Sequence, residues 1–231
     1  MVYVTSDWHG YPLEKIKELL SRANFSQNDY CFVLGDVIDR GDDGVKILEW
    51  LMLQPNIQLI LGNHETFLLS NLFLFNEVND ETINQLNLEQ LNLFQNWIEN
   101  GGKVTVDALR NLPKDTRADI VDYVMEAPLY ESISVNGKDF LLTHSALDNF
   151  EKHKPLTDYS EHDFLWHRAS LEEKFYDDVI CVFGHTPTAL YGSKYRGKIL
   201  KTDSWINIDT GASSGLPPAL LRLDDMKEFY L

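Results

Sequence analysis

The chain contains 231 residues, of which 44% are hydrophobic, and its 36 acidic and 20 basic side chains give a net charge of −16. This composition is typical of a globular protein, and the length allows a substantial buried core. The acidic balance disfavours sequence-independent binding to nucleic acid, because an acidic surface repels phosphate backbones. No stretch approaches the roughly 18–20 apolar residues of a membrane span, so no membrane partner is expected.

The N-terminus and the cysteines indicate where the protein works. The first residues, MVYVTSDWHG, lack the basic and apolar regions of a secretory signal. Cys31 and Cys181 each lie in an apolar run, which predicts buried thiols rather than a disulfide framework. We therefore expect a cytoplasmic protein.

The beginning of the chain alternates between strand and helix patterns. Short β-branched or aromatic runs predict strands, and the amphipathic patterns between them predict helices. This β-α-β-α-β order predicts a parallel sheet covered by helices. In chain order, the elements are the strand Val2–Thr5, the helix Leu13–Ser21, the strand Tyr30–Leu34, the helix Val45–Leu53 and the strand Ile57–Leu61.

The middle of the chain, around residues 65–125, has almost no strand pattern and is predicted to be a helical insertion. The Asn/Leu alternation in INQLNLEQLNLFQNW could mimic a strand, but the length of the segment favours a helix. Gly101-Gly102 is a natural end for that helix. The predicted helices are Thr66–Phe75, Thr82–Asn100, Val104–Leu112 and Thr116–Met125.

Strand patterns return after the insertion. Phe140–Thr143 and Val179–Phe183 are short apolar runs, and further short strands are predicted around Ile206–Ile208 and Ala219–Leu223. Together with the opening sheet, they predict an α/β fold in which two mixed sheets form a sandwich flanked by helices. We expect one domain that covers residues 1–231.

A polar cluster follows five of the predicted strands, namely Val2–Thr5, Tyr30–Leu34, Ile57–Leu61, Phe140–Thr143 and Val179–Phe183. In open α/β sheets, ligands bind in the crevice beyond the carboxyl ends of the strands. Carboxylate, imidazole and amide ligands suit divalent ions such as Mn²⁺, Fe²⁺ or Zn²⁺. Six such side chains are too many for one catalytic ion and indicate two ions that share a carboxylate. The candidate ligands are Asp7, His9, Asp36, Asn63, His144 and His185.

Taken singly, these clusters also have simpler explanations. The residues after Arg40 (GDDG) are typical of a solvated turn, and Asn63 could cap the helix that follows it. Their joint occurrence in order favours the metal site. The glycines at positions 35, 62 and 184 would allow the backbone to turn sharply and to approach the site closely.

Five motifs, DWH (7–9), GDVIDRG (35–41), GNHE (62–65), THS (143–145) and GHT (184–186), resemble the metallophosphoesterase superfamily. GDxxDRG together with GNHE resembles its phosphoprotein phosphatase branch, and in particular the compact bacterial and phage Ser/Thr phosphatases. Weaker similarities to the same family occur in the segments NWIENGGKVT, LWHR and NIDTGA. The resemblance covers residues 3 to 213 and implies the metallophosphoesterase β-sandwich in a single calcineurin-like domain.

The resemblance assigns the metal ligands. By similarity, Asp7 and His9 would bind the first metal, Asp36 would bridge both metals, and three further ligands would complete the second. The expected cofactors are two divalent ions, Mn²⁺ first, with Fe or Zn as alternatives. They would deliver a bridging hydroxide directly to phosphorus without a phosphoenzyme. The ligands expected at the second metal are Asn63, His144 and His185.

The same resemblance assigns catalytic roles. His64 resembles the family's general acid, which protonates the leaving group, and Asp39 is the anion expected to orient it. Arg40 would hold phosphate oxygens through its planar guanidinium. Arg168, in LWHR, is expected to complete that clamp.

Three functions follow as hypotheses. The resemblance favours a phosphomonoesterase acting on phosphoserine and phosphothreonine in proteins, and extending to phosphotyrosine or small phosphoesters. The alternative is a hydrolase of symmetrical dinucleoside polyphosphates such as diadenosine tetraphosphate. In that related family the second carboxylate of GDxxDRG and the last residue of GNHE typically differ, so Asp39 and Glu65 favour the protein phosphatase. A catalytically silent binding module is disfavoured because every ligand position is filled.

Overall fold

The structure is a computed structural model that describes residues 1–76 and 87–231. Within these ranges, the strands form two five-stranded sheets. The predicted sandwich of two mixed sheets is confirmed. The strands are β1 (Val2–Thr5), β2 (Tyr30–Leu34), β3 (Ile57–Ile60), β4 (Tyr130–Val135), β5 (Lys138–Thr143), β6 (Val179–Phe183), β7 (Leu200–Lys201), β8 (Trp205–Asn207), β9 (Leu220–Arg222) and β10 (Lys227–Phe229).

Each sheet contains three parallel strands, with antiparallel strands at one edge of the first sheet and at both edges of the second. The first sheet has the order β10-β9-β1-β2-β3, with β1, β2 and β3 parallel. The second has the order β4-β5-β6-β8-β7, with β5, β6 and β8 parallel. Because parallel strands all end at the same edge, the loops that follow β1, β2 and β3 lie together, as do those after β5 and β6.

Strands such as β1 and β6 are largely apolar because the centre of each sheet is covered on both faces. In β1, Val4 faces the core between the sheets, whereas Tyr3 faces the helices outside. In β6, Val182 faces the same inner core, and Cys181 faces a separate outer cluster. Side chains alternate between the faces of a strand, so a strand buried on both sides reads as a continuous apolar run. Cys181 and Cys31 are both buried free thiols, as expected.

Helices cover the sheets, and none of those in the described ranges is long and apolar enough to cross a membrane. The helices are α1 (Leu13–Arg22), α2 (Gly44–Leu51), α3 (Asn63–Ser70), α4 (Leu88–Glu99), α5 (Lys103–Arg110), α6 (Lys114–Met125) and α7 (Glu161–Leu165). The predicted helical insertion is present, since α4 and α6 pack beside α3 and α5 packs beside α2.

Several boundaries differ from the prediction. The helix predicted at Thr66–Phe75 begins at Asn63 and ends at Ser70, and a short 3₁₀ turn follows over Leu72–Phe75. Of the helix predicted from Thr82 onward, residues 82–86 lie outside the described residues, and α4 begins at Leu88.

Strand β4 was not predicted. It forms a hairpin with β5 through Asn136-Gly137, whose φ angles of 51° and 77° are those of a tight two-residue hairpin turn. The strand is at a sheet edge and most of its side chains are half-buried or exposed, so its sequence YESISV lacks a strong apolar pattern.

Candidate metal centre

The loops after β1, β2, β3, β5 and β6 bring the predicted metal ligands together at one edge of the sandwich. All six of these side chains are buried. Possible ligand atoms form two groups here, and within each group they lie within 4.8 Å of one another. One group contains His9 and His64, the other contains His144 and His185, and Asp36 belongs to both. A carboxylate common to two groups is the arrangement expected of a bridging ligand.

The loops that carry these residues are held in a left-handed backbone conformation. The φ angles of Asp7, Asp36 and His185 are 51°, 53° and 64°. Such angles are uncommon for non-glycine residues, although Asp and His adopt them more readily than most, and they cluster at functional sites. At Gly184, a Cβ atom would lie 1.9 Å from Oδ2 of Asp7, so only glycine allows the β6 loop to approach so closely.

Asp36 lies at the centre of the cluster. Its Oδ2 is 3.5 Å from Nε2 of His9, and its Oδ1 is 3.4 Å from Nε2 of His144. The backbone N–H of His64 donates to Oδ1 over 3.0 Å. One carboxylate therefore faces imidazoles from both sheets.

The ligands expected at the second metal also lie in contact. Asn63 Oδ1 is 2.8 Å from Nε2 of His144 and 2.9 Å from Nδ1 of His185. The backbone N–H of His185 donates to both carboxylate oxygens of Asp7, over 3.1 and 3.0 Å. These contacts connect the loops after β1, β3, β5 and β6.

Two histidines present lone pairs to the centre. Nδ1 of His9 lies 3.2 Å from the Ile38 carbonyl, and Nδ1 of His144 lies 2.8 Å from the Leu34 carbonyl. A ring nitrogen facing a carbonyl must be the one that carries the proton, so Nε2 of each ring is the lone-pair atom. Metal-binding histidines are oriented in this way by backbone carbonyls.

The pKa shifts agree with neutral rings. Burial lowers the pKa of His9 and of His185 to about 3, and burial also lowers the pKa of His144. Neutral His144 then points a lone pair at carboxylate and amide oxygens, with no proton between them. A divalent cation fits such a set of acceptors, because its positive charge would offset their mutual repulsion.

Three buried carboxylates surround the same space. Burial, and after it the charges of Asp209 and Asp36, raises the pKa of Asp7. Burial likewise raises the pKa of Asp209 to about 7. Anions buried together without compensation cost several kcal/mol each, so the donor set fits two bound divalent ions. Asp209 was not predicted as a site residue, although it belongs to the NIDTGA segment.

His64 and Asp39 form a hydrogen-bonded pair. Nδ1 of His64 lies 2.6 Å from Oδ2 of the fully buried Asp39. Burial lowers the pKa of His64, but the carboxylates of Asp36 and Asp39 outweigh it and raise the pKa overall. The helical insertion fixes Asp39, since Trp97 donates to its Oδ2 over 2.8 Å and the hydroxyl of Thr105 to its Oδ1 over 2.5 Å. Neither residue was predicted.

The two predicted arginines differ in position. Arg40 donates to Nε2 of His9 over 3.3 Å and to Nε2 of His64 over 3.2 Å, so its guanidinium covers the mouth of the cluster. Arg168 is exposed and has no hydrogen bond to a described residue. Its positive charge contributes, after burial and His144, to the low pKa of His185.

Glu65 has a supporting position that the sequence did not predict. Its buried carboxylate accepts from the backbone N–H groups of Gly62, Asp36, Val37 and Ile38, over 3.1, 2.8, 2.9 and 3.3 Å. It thus joins the β2 loop to the β3 loop. The alternative role of Asn63 as a helix cap is wrong, because Gly62 occupies the N-cap position and the amide of Asn63 faces the histidines.

A family model for the calcineurin-like phosphoesterases matches residues 1–189 of this chain. Curated relatives with the name symmetrical bis(5′-nucleosyl)-tetraphosphatase match shorter stretches. The relative from Buchnera aphidicola (strain 5A) is 36% identical over 70 residues, which cover 29% of this chain and 25% of that protein. The relative from Wigglesworthia glossinidia brevipalpis is 31% identical over 114 residues, covering 48% and 42%. The matched stretches thus span less than half of these relatives.

Solved structures share the fold over the whole chain. A candidate diadenosine tetraphosphatase gives a TM-score of 0.65 at 16% identity and covers 100% of this chain and 92% of its own. A protein serine/threonine phosphatase from Saccharomyces cerevisiae gives 0.53 at 14% identity, covering 100% and 79%. At such identities the likeness concerns the fold alone.

Proposed function

Because the chain belongs to the calcineurin-like phosphoesterase family, we propose that it is a metal-dependent hydrolase whose substrates are symmetrical dinucleoside tetraphosphates. The main observation that supports a metal-dependent hydrolase is that two groups of possible metal ligands share the carboxylate of Asp36. The substrate class is supported by the printed names of the curated relatives. They favour the dinucleotide alternative over a phosphoprotein.

The metal ions would be held by the six ligands predicted from the sequence, with Asp36 between them. When bound, two divalent ions would activate water and neutralise the phosphoryl oxygens. They are expected to be Mn²⁺, with Fe or Zn as alternatives. The ligands would be Asp7, His9, Asp36, Asn63, His144 and His185.

The chain's own cations would hold the phosphate chain. Arg40 lies between His9 and His64 at the mouth of the centre, where its fork can grip two phosphoryl oxygens. Arg168, exposed on the side of His185, would contact the next phosphate. A substrate with several phosphates can engage both arginines at once.

A phosphomonoesterase is the second candidate, and the His64–Asp39 pair favours it. The alkoxide that leaves a phosphoserine is strongly basic and needs a proton, whereas the phosphate that leaves an anhydride is stable as an anion. A histidine whose pKa is raised by two carboxylates can supply that proton. Phosphoserine, phosphothreonine and phosphotyrosine are the corresponding substrates.

One set of assays separates these candidates. The purified chain, stripped with EDTA and resupplied with Mn²⁺, is offered diadenosine tetraphosphate, p-nitrophenyl phosphate and a phosphoserine peptide in parallel. We expect cleavage of the dinucleotide into two ADP molecules at the highest kcat/KM. Asp36→Asn should abolish turnover of every substrate, whereas Asp42→Asn, an isosteric change at an exposed neighbour, should not.

The outcomes are distinct. Efficient turnover of the peptide without turnover of the dinucleotide would overturn the first candidate and support the second. No hydrolysis of any phosphate ester or anhydride with Mn²⁺, Fe²⁺ or Zn²⁺ would overturn both.

A further inference from the structure

A pocket separate from the metal centre lies in the helical insertion. It has a volume of about 350 Å³. Arg110, the last residue of α5, lines this pocket. The segment just before α5 contacts the metal centre instead, because the backbone N–H of Arg40 donates to the Gly101 carbonyl. At 1.5 Å per residue, the eight residues of α5 separate these ends by roughly 12 Å. The lining residues are Leu74, Phe75, Asn76, Arg110, Lys114 and Arg117.

The lining of this pocket is basic although the chain is strongly acidic. Among the described residues that line it, three side chains are cationic and none is a carboxylate, in a protein whose net charge is −16. Some cations elsewhere on the surface form ion pairs with a nearby acid, as in Lys103–Asp107 and Arg222–Asp225. Within the described ranges, Arg110 and Arg117 make no such ion pair. Two guanidinium groups that form no ion pair with a described residue therefore line one pocket.

Arg117 is held in place. It donates one hydrogen bond to the Leu109 carbonyl over 3.3 Å, and its guanidinium lies 5.3 Å from the centre of the Phe75 ring. A guanidinium has five N–H donors, so this anchoring leaves others for a ligand. Because the side chain is already ordered, less conformational entropy is lost when a ligand binds.

We propose that this pocket binds the phosphoryl group of a small molecule, either free phosphate or the phosphate of a nucleotide. Arginine is suited to phosphate because its planar fork forms two parallel hydrogen bonds to the oxygens. Two such forks supply enough donors for the several oxygens of one phosphoryl group. Hydrolysis at the metal centre does not require this site, so the proposal is independent of the substrate proposed above.

Binding is measured directly, without reference to turnover. The full chain is kept in EDTA, and inorganic phosphate or ADP is titrated into it by calorimetry and by ³¹P line broadening. The variants are Arg110→Gln and Arg117→Gln at the pocket, Arg40→Gln at the metal centre, and Arg196→Gln as a matched exposed arginine elsewhere. Thermal unfolding of each variant shows whether it is folded.

We expect binding that weakens at least tenfold in Arg110→Gln and Arg117→Gln and is unchanged in Arg196→Gln and Arg40→Gln. Equal affinities for phosphate and ADP would identify the free phosphoryl group as the ligand, and tighter ADP binding would identify a nucleotide. Arg110 is exposed and has no hydrogen bond to another element in the described part of the chain, so its variant is expected to fold even where Arg117→Gln does not. Binding that is lost only in Arg40→Gln, or no binding at millimolar concentrations, would overturn the proposal.

Discussion

At the scale of single residues, the His64–Asp39 pair is the part of the site whose chemistry depends most on a proton. Asp39 is fully buried and accepts from His64, Trp97 and Thr105. These three donors fix the position of the carboxylate beside the His64 ring. Its charge is one of the two that raise the pKa of His64.

Removing the charge of Asp39 should change the pH profile. In Asp39→Asn the pKa of His64 falls, so the protonated acid is lost at lower pH. The alkaline limb of kcat for p-nitrophenyl phosphate and for a phosphoserine peptide should therefore move to lower pH. At alkaline pH we expect a loss of about 10²–10⁴-fold with the peptide, whose leaving group needs the proton more.

The matched control is Asp42→Asn, which makes the same change at an exposed position and should keep the wild-type profile. An unchanged alkaline limb in Asp39→Asn would show that His64 does not act as the acid in this protein.

Gly184 is the second residue whose replacement has a defined consequence. In Gly184→Ala the new methyl group would collide with Oδ2 of Asp7 and with Oγ of Ser6, 1.9 and 2.1 Å away. Both are held by the adjacent loops, so Asp7 or the loop that carries His185 must move. We expect hydrolysis to fall at least tenfold and the metal affinity, measured by titration with Mn²⁺, to weaken.

Gly137→Ala is the control for Gly184→Ala. Gly137 lies in the β4–β5 turn with open space around it and a φ of 77°, so the change costs only about 1–2 kcal/mol of backbone strain. Wild-type metal affinity in Gly184→Ala would contradict the proposed role of Asp7.

At the scale of elements, the helical insertion contributes to the centre as well as covering it. Trp97 of α4 and Thr105 of α5 both hydrogen-bond to the carboxylate of Asp39, and the N–H of Asp39 donates to the Thr105 hydroxyl over 3.0 Å. Asp39, which orients His64, is thus held in place by residues about sixty positions further along the chain.

Thr105→Val should therefore affect both stability and turnover. The change keeps the shape of the side chain but leaves the N–H and one carboxylate oxygen of Asp39 without this partner. An unsatisfied buried polar group costs about 1–3 kcal/mol, measurable by urea unfolding, and kcat should fall with it. Thr116→Val, on α6, is the matched control. If Thr105→Val unfolds and turns over as the wild type does, the insertion does not support Asp39.

How much the sequence could predict also depends on the element. The strands Val2–Thr5, Tyr30–Leu34 and Val179–Phe183 agree with the predicted bounds because burial on both faces leaves an unmistakable apolar run. The edge strand Tyr130–Val135 was missed because its exposed face is polar.

The same contrast holds for the site. Its ten predicted residues lie in short local motifs, and the structure brings nine of them into contact. Trp97 and Thr105 lie in the segment NWIENGGKVT, whose similarity to the family was the one signal for them, because the helical pattern alone does not distinguish them from packing residues. Their contacts with Asp39 arise only when the insertion docks on the sheet. Long-range partners of this kind cannot be predicted from local sequence.

At the scale of the whole molecule, the candidate metal centre joins the two sheets. Its ligands up to Asn63 follow strands of the first sheet, whereas His144 and His185 follow β5 and β6 of the second. Bound metal would therefore hold the two halves of the sandwich together at this edge, and folding and metal binding should be coupled.

Metal binding should raise the melting temperature of the chain. A ligand at a hundred times its Kd stabilises the folded state by about 2.7 kcal/mol, which corresponds to roughly 5–11 °C for a domain of this size. Differential scanning fluorimetry with EDTA and with excess Mn²⁺ measures the difference. In Asp36→Asn the difference should shrink, because the shared carboxylate is lost, whereas Asp42→Asn should keep it. Equal melting temperatures with and without every divalent ion would contradict a metal centre that spans the two sheets.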